Sequence, residues 1–188
     1  VWWARKHGTD LPHPAEFAVE HDESGRPFLL PLSKGEAALP HISIAHTAAG
    51  AVAIAASGIV GVDLEEADRD TRSILATFTT DAERALIARV SGLHPEEAFE
   101  TRLWCAKEAA GKFLGCGLNG RPRDLEAIEV DEEGVFVIYH APTEKCVVVR
   151  SARLGAFVLA WAAETSEDAS ALQETTAPNR HAPSLAVT

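Results

Sequence analysis

The chain has 188 residues, 46% hydrophobic and 24% charged, with a formal net charge of −11. That is enough for one globular unit, or two closely fused halves, around a buried core. The acidic balance disfavours nucleic acid as a partner, because a phosphate backbone calls for basic surface, so a small anionic ligand must be met by locally clustered Lys, Arg or His or by a metal ion. No apolar run reaches the roughly 18 residues of a membrane helix, and no basic stretch leads into an apolar one as in a signal peptide. A cytoplasmic protein with no membrane partner is expected. Cys105, Cys116 and Cys146 form no CxxC pair and read as reduced thiols of an intracellular chain.

Residues 1–24 open with Val1-Trp2-Trp3 and read as an N-terminal arm or the remnant of a first half. Residues 25–66 read as a first half. They carry a turn at Gly25-Arg26-Pro27 and strands over His41–Ile44, Ala51–Ala56 and Ile59–Leu64. Residues 67–164 read as a second half with helices over 70–92 and 95–115. In the first of these, Ile74, Leu75 and Phe78 share a face, and Thr80 with Glu83 forms a capping box. In the second, Pro95 suits a first-turn position. Phe99, Leu103, Trp104, Ala106, Ala110, Phe113 and Leu114 follow at helical spacing.

The period then changes to two, predicting strands over residues 125–130, 135–140, 145–150 and 156–162, with turns at 131–134 and 141–144. Residues 165–188 are polar and without period, as in a disordered tail. The fold class expected is α+β, with two pseudo-symmetric α/β halves, each a small antiparallel sheet packed on a long helix.

Four clusters carry candidate chemistry. In Gly61-Val62-Asp63-Leu64-Glu65, strand alternation puts Asp63 and Glu65 on one face, with Val62 and Leu64 toward the core. Paired carboxylates suit magnesium, which is held by one or two carboxylates plus substrate phosphates; a solvated acidic strand end has the same pattern. In the helix, Trp104, Glu108, Lys112 and Gly115 fall on one broad side. Glu108 can join a metal site there while Lys112 reaches a phosphate, and Lys107, one step round, can serve the same anion or close the site from its edge. An exposed Glu108–Lys112 pair would also explain the spacing. His46-Thr47 ends a buried strand and can bind phosphate, or His46 bonds a nearby carbonyl. Arg26 supplies a guanidinium from its turn.

The order of these clusters resembles the Sfp-type phosphopantetheinyl transferases, whose pattern runs from a G-[KR]-P turn through a Ser-His-Ser-like strand end and G-[IV]-D-x-E to W-x-x-K-E-[AS]-x-x-K. The corresponding residues are Gly25-Arg26-Pro27, His46-Thr47, Gly61-Val62-Asp63-Leu64-Glu65 and Trp104-Cys105-Ala106-Lys107-Glu108-Ala109-Ala110-Gly111-Lys112. Phe78 and Glu83 are similar to a further Phe-rich segment with a downstream Glu. Two departures stand out: Ala45 replaces the Ser before the His, and the segment ahead of the His is shorter than in the family. With the missing Met and polar tail, the latter suggests a domain excised from a larger carrier-protein synthase, of a polyketide or related pathway.

The resemblance implies transfer of the 4'-phosphopantetheine arm of coenzyme A to a serine of an apo acyl or peptidyl carrier protein, as in holo-[acyl-carrier-protein] synthases, with Mg2+ and release of adenosine 3',5'-bisphosphate. It implies Asp63, Glu65 and Glu108 as metal ligands and Lys112 on the leaving group. Arg26, His46, Thr47, Lys107 and Lys112 then contact coenzyme A. Glu108, and after it Glu65, is the candidate general base. The carrier is expected to dock on Thr71–Val90 through Ile74, Leu75 and Phe78, with Arg69, Arg72, Arg84 and Arg89 offsetting its acidity. The rival readings are a non-catalytic interaction module of the same fold and a metal-dependent phosphohydrolase.

Overall fold

The structure is a computed structural model that describes residues 16–32, 39–71 and 73–164. The expectations for Val1-Trp2-Trp3 and for the tail over 165–188 lie outside these residues. β1 (Phe17–His21) and β2 (Pro27–Pro31) form an antiparallel hairpin. Asp22 closes its turn by accepting the Ser24 and Arg26 backbone N–H groups on Oδ1 at 2.9 and 3.0 Å. The hairpin therefore straddles the expected division between an arm ending at 24 and a half beginning at 25. β3 (His41–His46) and β4 (Ala51–Ala56) form a second hairpin. Next come β5 (Val60–Glu66), the single turn α1 (Leu75–Phe78), α2 (Asp81–Leu93) and α3 (Phe99–Leu114). The alternating segment folds as β6 (Leu125–Val130), β7 (Val135–His140), β8 (Lys145–Leu154) and β9 (Phe157–Ala163).

β5 joins the strands that follow the helices, in an antiparallel sheet of order β5-β9-β8-β7-β6. It pairs with β9 from Val60 opposite Ala163 to Glu66 opposite Phe157, so a division between 66 and 67 would cut through a sheet. On one face, the β3–β4 hairpin covers the β5–β9 end, burying Ala45, Ile54 and Ala56 with Val60, Val62, Leu64, Leu159 and Trp161. On the other, α3 packs across β5, β9 and β8. Leu103, Ala106 and Ala110 meet Phe136, Ile138, Val149, Val158 and Ala160 in the larger core there. The architecture is α+β with antiparallel sheets. Among the described residues both longer helices lie against this one sheet and neither hairpin has a helix inserted in it, which departs from two matching halves.

Two expected helices are interrupted. The chain leaves β5 through turns and becomes helical only at Leu75. It is extended again at Thr79, φ −117 and ψ 156, before Thr80 caps α2. Thr80 Oγ1 accepts from Glu83 N at 3.2 Å, and Glu83 Oε2 accepts from Thr80 N at 2.8 Å. The helix expected over 95–115 begins as a 3-10 turn, Pro95–Glu97. It breaks at Ala98, left-handed at φ 51, and restarts as α3. Beyond the break, Glu97 binds Arg102 Nη1 at 3.0 Å. Arg102 is buried and also donates to Ser151 Oγ, Ser151 O and Glu133 O, tying α3 to β8 and the β6–β7 turn.

Candidate active site between β5 and α3

Alternation along β5 sends Val60, Val62 and Leu64 into the core under the β3–β4 hairpin and turns Gly61, Asp63 and Glu65 toward α3. Gly61 makes the approach possible. A Cβ there would stand 2.2 Å from the Ala109 carbonyl oxygen and 2.5 Å from the Phe113 backbone nitrogen, far inside van der Waals contact. With strand and helix backbones this close, Lys112 Nζ donates to Asp63 Oδ1 at 2.7 Å. Asp63 is only 6% exposed, and its Oδ2 is buried with no hydrogen-bond partner among the described residues. Burial raises the Asp63 carboxyl above its ordinary range despite the adjacent Lys112 ammonium, and Glu65 adds to the rise. The Cys105 thiol beside it is pushed well up, first by burial and then by the Asp63 charge, so it is a neutral wall of the site.

Glu65 is held from two sides. Its Oε1 accepts from Trp104 Nε1 at 2.8 Å and pairs with Arg69 Nη1 at 2.5 Å. The Arg69 guanidinium lies over the Trp104 ring, 5.0 Å from its centroid. Phe78 meets the same indole edge-on, also at 5.0 Å between centroids. Glu108 lies one turn beyond Trp104 on α3, with Lys112 a turn further along the same side. Its carboxyl is raised by burial and next by the Asp63 charge, with Glu65 adding and Lys112 and Arg69 opposing. Asp63, Glu65, Glu108 and Lys112 thus share one electrostatic neighbourhood.

The donor chemistry of this cluster fits a hard divalent cation, which takes one or two carboxylates and completes its shell with water and phosphate oxygens. The orphaned Asp63 Oδ2 and the mutual repulsion of Asp63 and Glu108 are both relieved by positive charge. Among the described residues no three His, Cys, Asp or Glu side chains stand close enough to enclose an ion. Lys112 occupies Asp63 Oδ1, while Trp104 and Arg69 occupy Glu65 Oε1. A cavity of about 410 Å3 beyond the end of α3 is lined by Cys116, Arg121, Asp124 and His140, and by none of the four cluster residues. The cluster is half-buried and does not line that cavity.

The other expected contacts are distributed unevenly. Arg26 reaches α3 from the β1–β2 turn, donating from Nη2 to the Phe113 carbonyl at 2.8 Å, one residue beyond Lys112. His46 is exposed at the end of β3. Thr47 Oγ1 accepts from Ala49 N and Gly50 N at 3.0 and 3.2 Å, which shapes the β3–β4 turn and leaves only its hydroxyl hydrogen for another partner. That turn packs near Leu64 and Phe157 through Gly50, beside the Glu65 end of β5.

Lys107 departs from the expected phosphate contact. It is wholly buried, and its Nζ binds Glu83 Oε1 at 2.7 Å, Phe78 O at 2.7 Å and Pro122 O at 3.1 Å. One residue of helix turns a side chain by about 100°, which carries Lys107 away from the Glu108 side and toward α2. Phe78, expected on a docking surface, is also fully buried. Trp104, which helical spacing puts on the Glu108 side, and Arg69, expected only to offset a carrier's acidity, both grip Glu65. The signal for Trp104 was available in its position four residues before Glu108; Arg69 lies in a turn whose path no periodicity announces.

The profile of the 4'-phosphopantetheinyl transferase superfamily matches residues 59–163, from just before β5 through β9. The chain belongs to this superfamily. Its members move the phosphopantetheinyl group, with coenzyme A as substrate and carrier proteins as acceptors, so the β5–α3 cluster lies in the matched part of a transferase. No curated protein matches the chain.

Proposed function

We propose that this member of the superfamily is an Sfp-type, magnesium-dependent enzyme. It transfers 4'-phosphopantetheine from coenzyme A to the serine hydroxyl of an apo acyl or peptidyl carrier protein and releases adenosine 3',5'-bisphosphate. The reading rests on one observation above all: a strand and a helix meet closely enough that Asp63, with a buried oxygen unpartnered among the described residues, lies against Lys112 within the field of Glu108 and Glu65.

Asp63, Glu65 and Glu108 would hold magnesium, which when bound neutralises charge on the diphosphate oxygens. Lys112 provides a second positive charge for the departing phosphate oxygen. Arg26, His46 and Thr47 lie along the end of α3 and the neighbouring β3–β4 turn, and serve the 3'-phosphate end of coenzyme A. The serine oxygen attacks the phosphorus next to pantetheine as the bond to the adenosine bisphosphate oxygen breaks. The serine proton passes to Glu108, directly or through a water. Glu65 is the second choice for this role, since its Oε1 is already engaged by Trp104 and Arg69.

The decisive experiment incubates the protein with coenzyme A, magnesium and several apo carrier proteins and reads each carrier's mass. A gain of one phosphopantetheinyl group, with equimolar adenosine 3',5'-bisphosphate, is expected. Unmodified carriers, together with no heat of coenzyme A binding in the presence of magnesium, would reduce the chain to a non-catalytic module; release of inorganic phosphate would identify a hydrolase instead.

A further inference from the structure

Lys107 sits next to Glu108 in sequence, yet its buried Nζ is matched by three acceptors within the fold. They belong to three different elements: Phe78 O from the end of α1, Glu83 Oε1 from the first turn of α2, and Pro122 O from the turn before β6. Glu83 is itself fully buried and also accepts from Ala127 N of β6 at 2.8 Å and from Thr80 N at 2.8 Å. Thr80 Oγ1 in turn donates to Glu126 Oε1 at 2.8 Å. The ammonium is therefore the centre of a knot joining α1, α2, α3 and the start of β6. The knot has a direct line to the site. Phe78, whose carbonyl Lys107 holds, braces Trp104, and the Trp104 indole N–H holds Glu65.

We infer that Lys107 is a positioning residue: with Glu83 it fixes the rotation of α3 about its axis, which aims Glu108 at β5, and through Phe78 and Trp104 it fixes Glu65. It does not touch coenzyme A. The inference rests on the reading that Glu65 and Glu108 belong to the reaction site. Misplacing such groups by an ångström without removing them lowers turnover by up to about a hundredfold, and leaves substrate affinity, set by other contacts, nearly unchanged.

Two measurements test this. Lysine acylation of the wild-type protein, read by mass spectrometry with and without coenzyme A and magnesium, should label Lys112 in the free protein and protect it with ligand, while Lys107 stays unlabelled in both. A Lys107 that is labelled in the free protein and protected by coenzyme A overturns the inference; an unprotected Lys112 counts instead against the functional reading. The second measurement uses the Lys107→Met/Glu83→Gln variant, which removes both buried charges together. Its turnover number should fall about tenfold or more with KM for coenzyme A within about threefold of wild type, and Lys107→Arg alone should retain part of the turnover. A folded double variant with wild-type turnover, or one whose defect lies wholly in a salt-sensitive KM, overturns it. If the double variant fails to fold, the acylation pattern decides.

Discussion

Two lysines five residues apart on α3 each place Nζ 2.7 Å from a carboxylate oxygen, yet the pairs have opposite surroundings. Around Lys107–Glu83 both side chains are fully buried, and both Glu83 oxygens and the ammonium find further partners in the protein. Around Lys112–Asp63 the lysine is 31% exposed, the second carboxylate oxygen has no partner among the described residues, and a further carboxylate, Glu108, stands nearby. A buried pair whose hydrogen-bonding capacity is met inside the fold is structural. A pair left partly unmet at a half-buried face can exchange partners with a ligand. The contrast separates a sealed framework pair from the pair at the proposed reaction site on a single helix.

The largest effect should come from breaking the sealed pair on one side only. Lys107→Met leaves Glu83 charged and buried, and should cost about 3–5 kcal/mol in denaturant unfolding; a loss no greater than that of Lys112→Met would erase the contrast. At the open pair the effect moves from stability to rate. Asp63→Asn and Glu108→Gln should each lower transfer to a carrier protein by about a hundredfold to a thousandfold, with melting temperatures at or above wild type because partial or full burial disfavours the charge each removes. Wild-type-like turnover in either variant with magnesium present would contradict the assignment.

Gly61→Ala probes how the open pair is built. Its Cβ meets the helix backbone, so strand and helix must separate. A loss of about 1–3 kcal/mol is expected, accompanied by weaker transfer, both read on the same preparation by denaturation and by carrier mass. An alanine variant with unchanged stability would show that the approach is looser than described.

The smallest effect is in the pH dependence of stability. Asp63 and Glu108 both stand above their ordinary values of 3.8 and 4.5, in each case first because burial disfavours the charge. A carboxyl raised by folding binds its proton more tightly in the folded state. Its contribution to stability is therefore fully present below the ordinary value and is lost as pH climbs through the raised folded value. In the absence of divalent ions, acidification from neutral toward the ordinary carboxylate values should favour the wild type relative to an Asp63→Asn/Glu108→Gln variant. Melting curves of the two should approach each other on that side; parallel curves would mean that neither group is raised.

Much of this was open to inspection in the residue order. The strands over 125–163 follow from period-two alternation bounded by Asp, Glu and Gly turns, and the α2 cap follows from Thr80 and Glu83, because these signals are local. The alternation of β5 likewise identified which side Asp63 would take. The break at Ala98 was not visible, since alanine favours helix and only its left-handed placement before Phe99 shows the interruption. The membership of β5 in the later sheet was also hidden, because Val60–Glu66 pairs with residues 91 to 103 positions away, Val60 with Ala163 and Glu66 with Phe157.

Residue types at short spacing settled the presence of carboxylates and lysines, their faces on strand and helix, and the family resemblance they carry. Three-dimensional contact alone settled which lysine is sealed and which is open, and that Trp104 and Arg69 hold Glu65. The physical reason is the same in each case: periodicity assigns a side chain to a direction around its own element, while burial and hydrogen-bond partners depend on what another element brings to that direction.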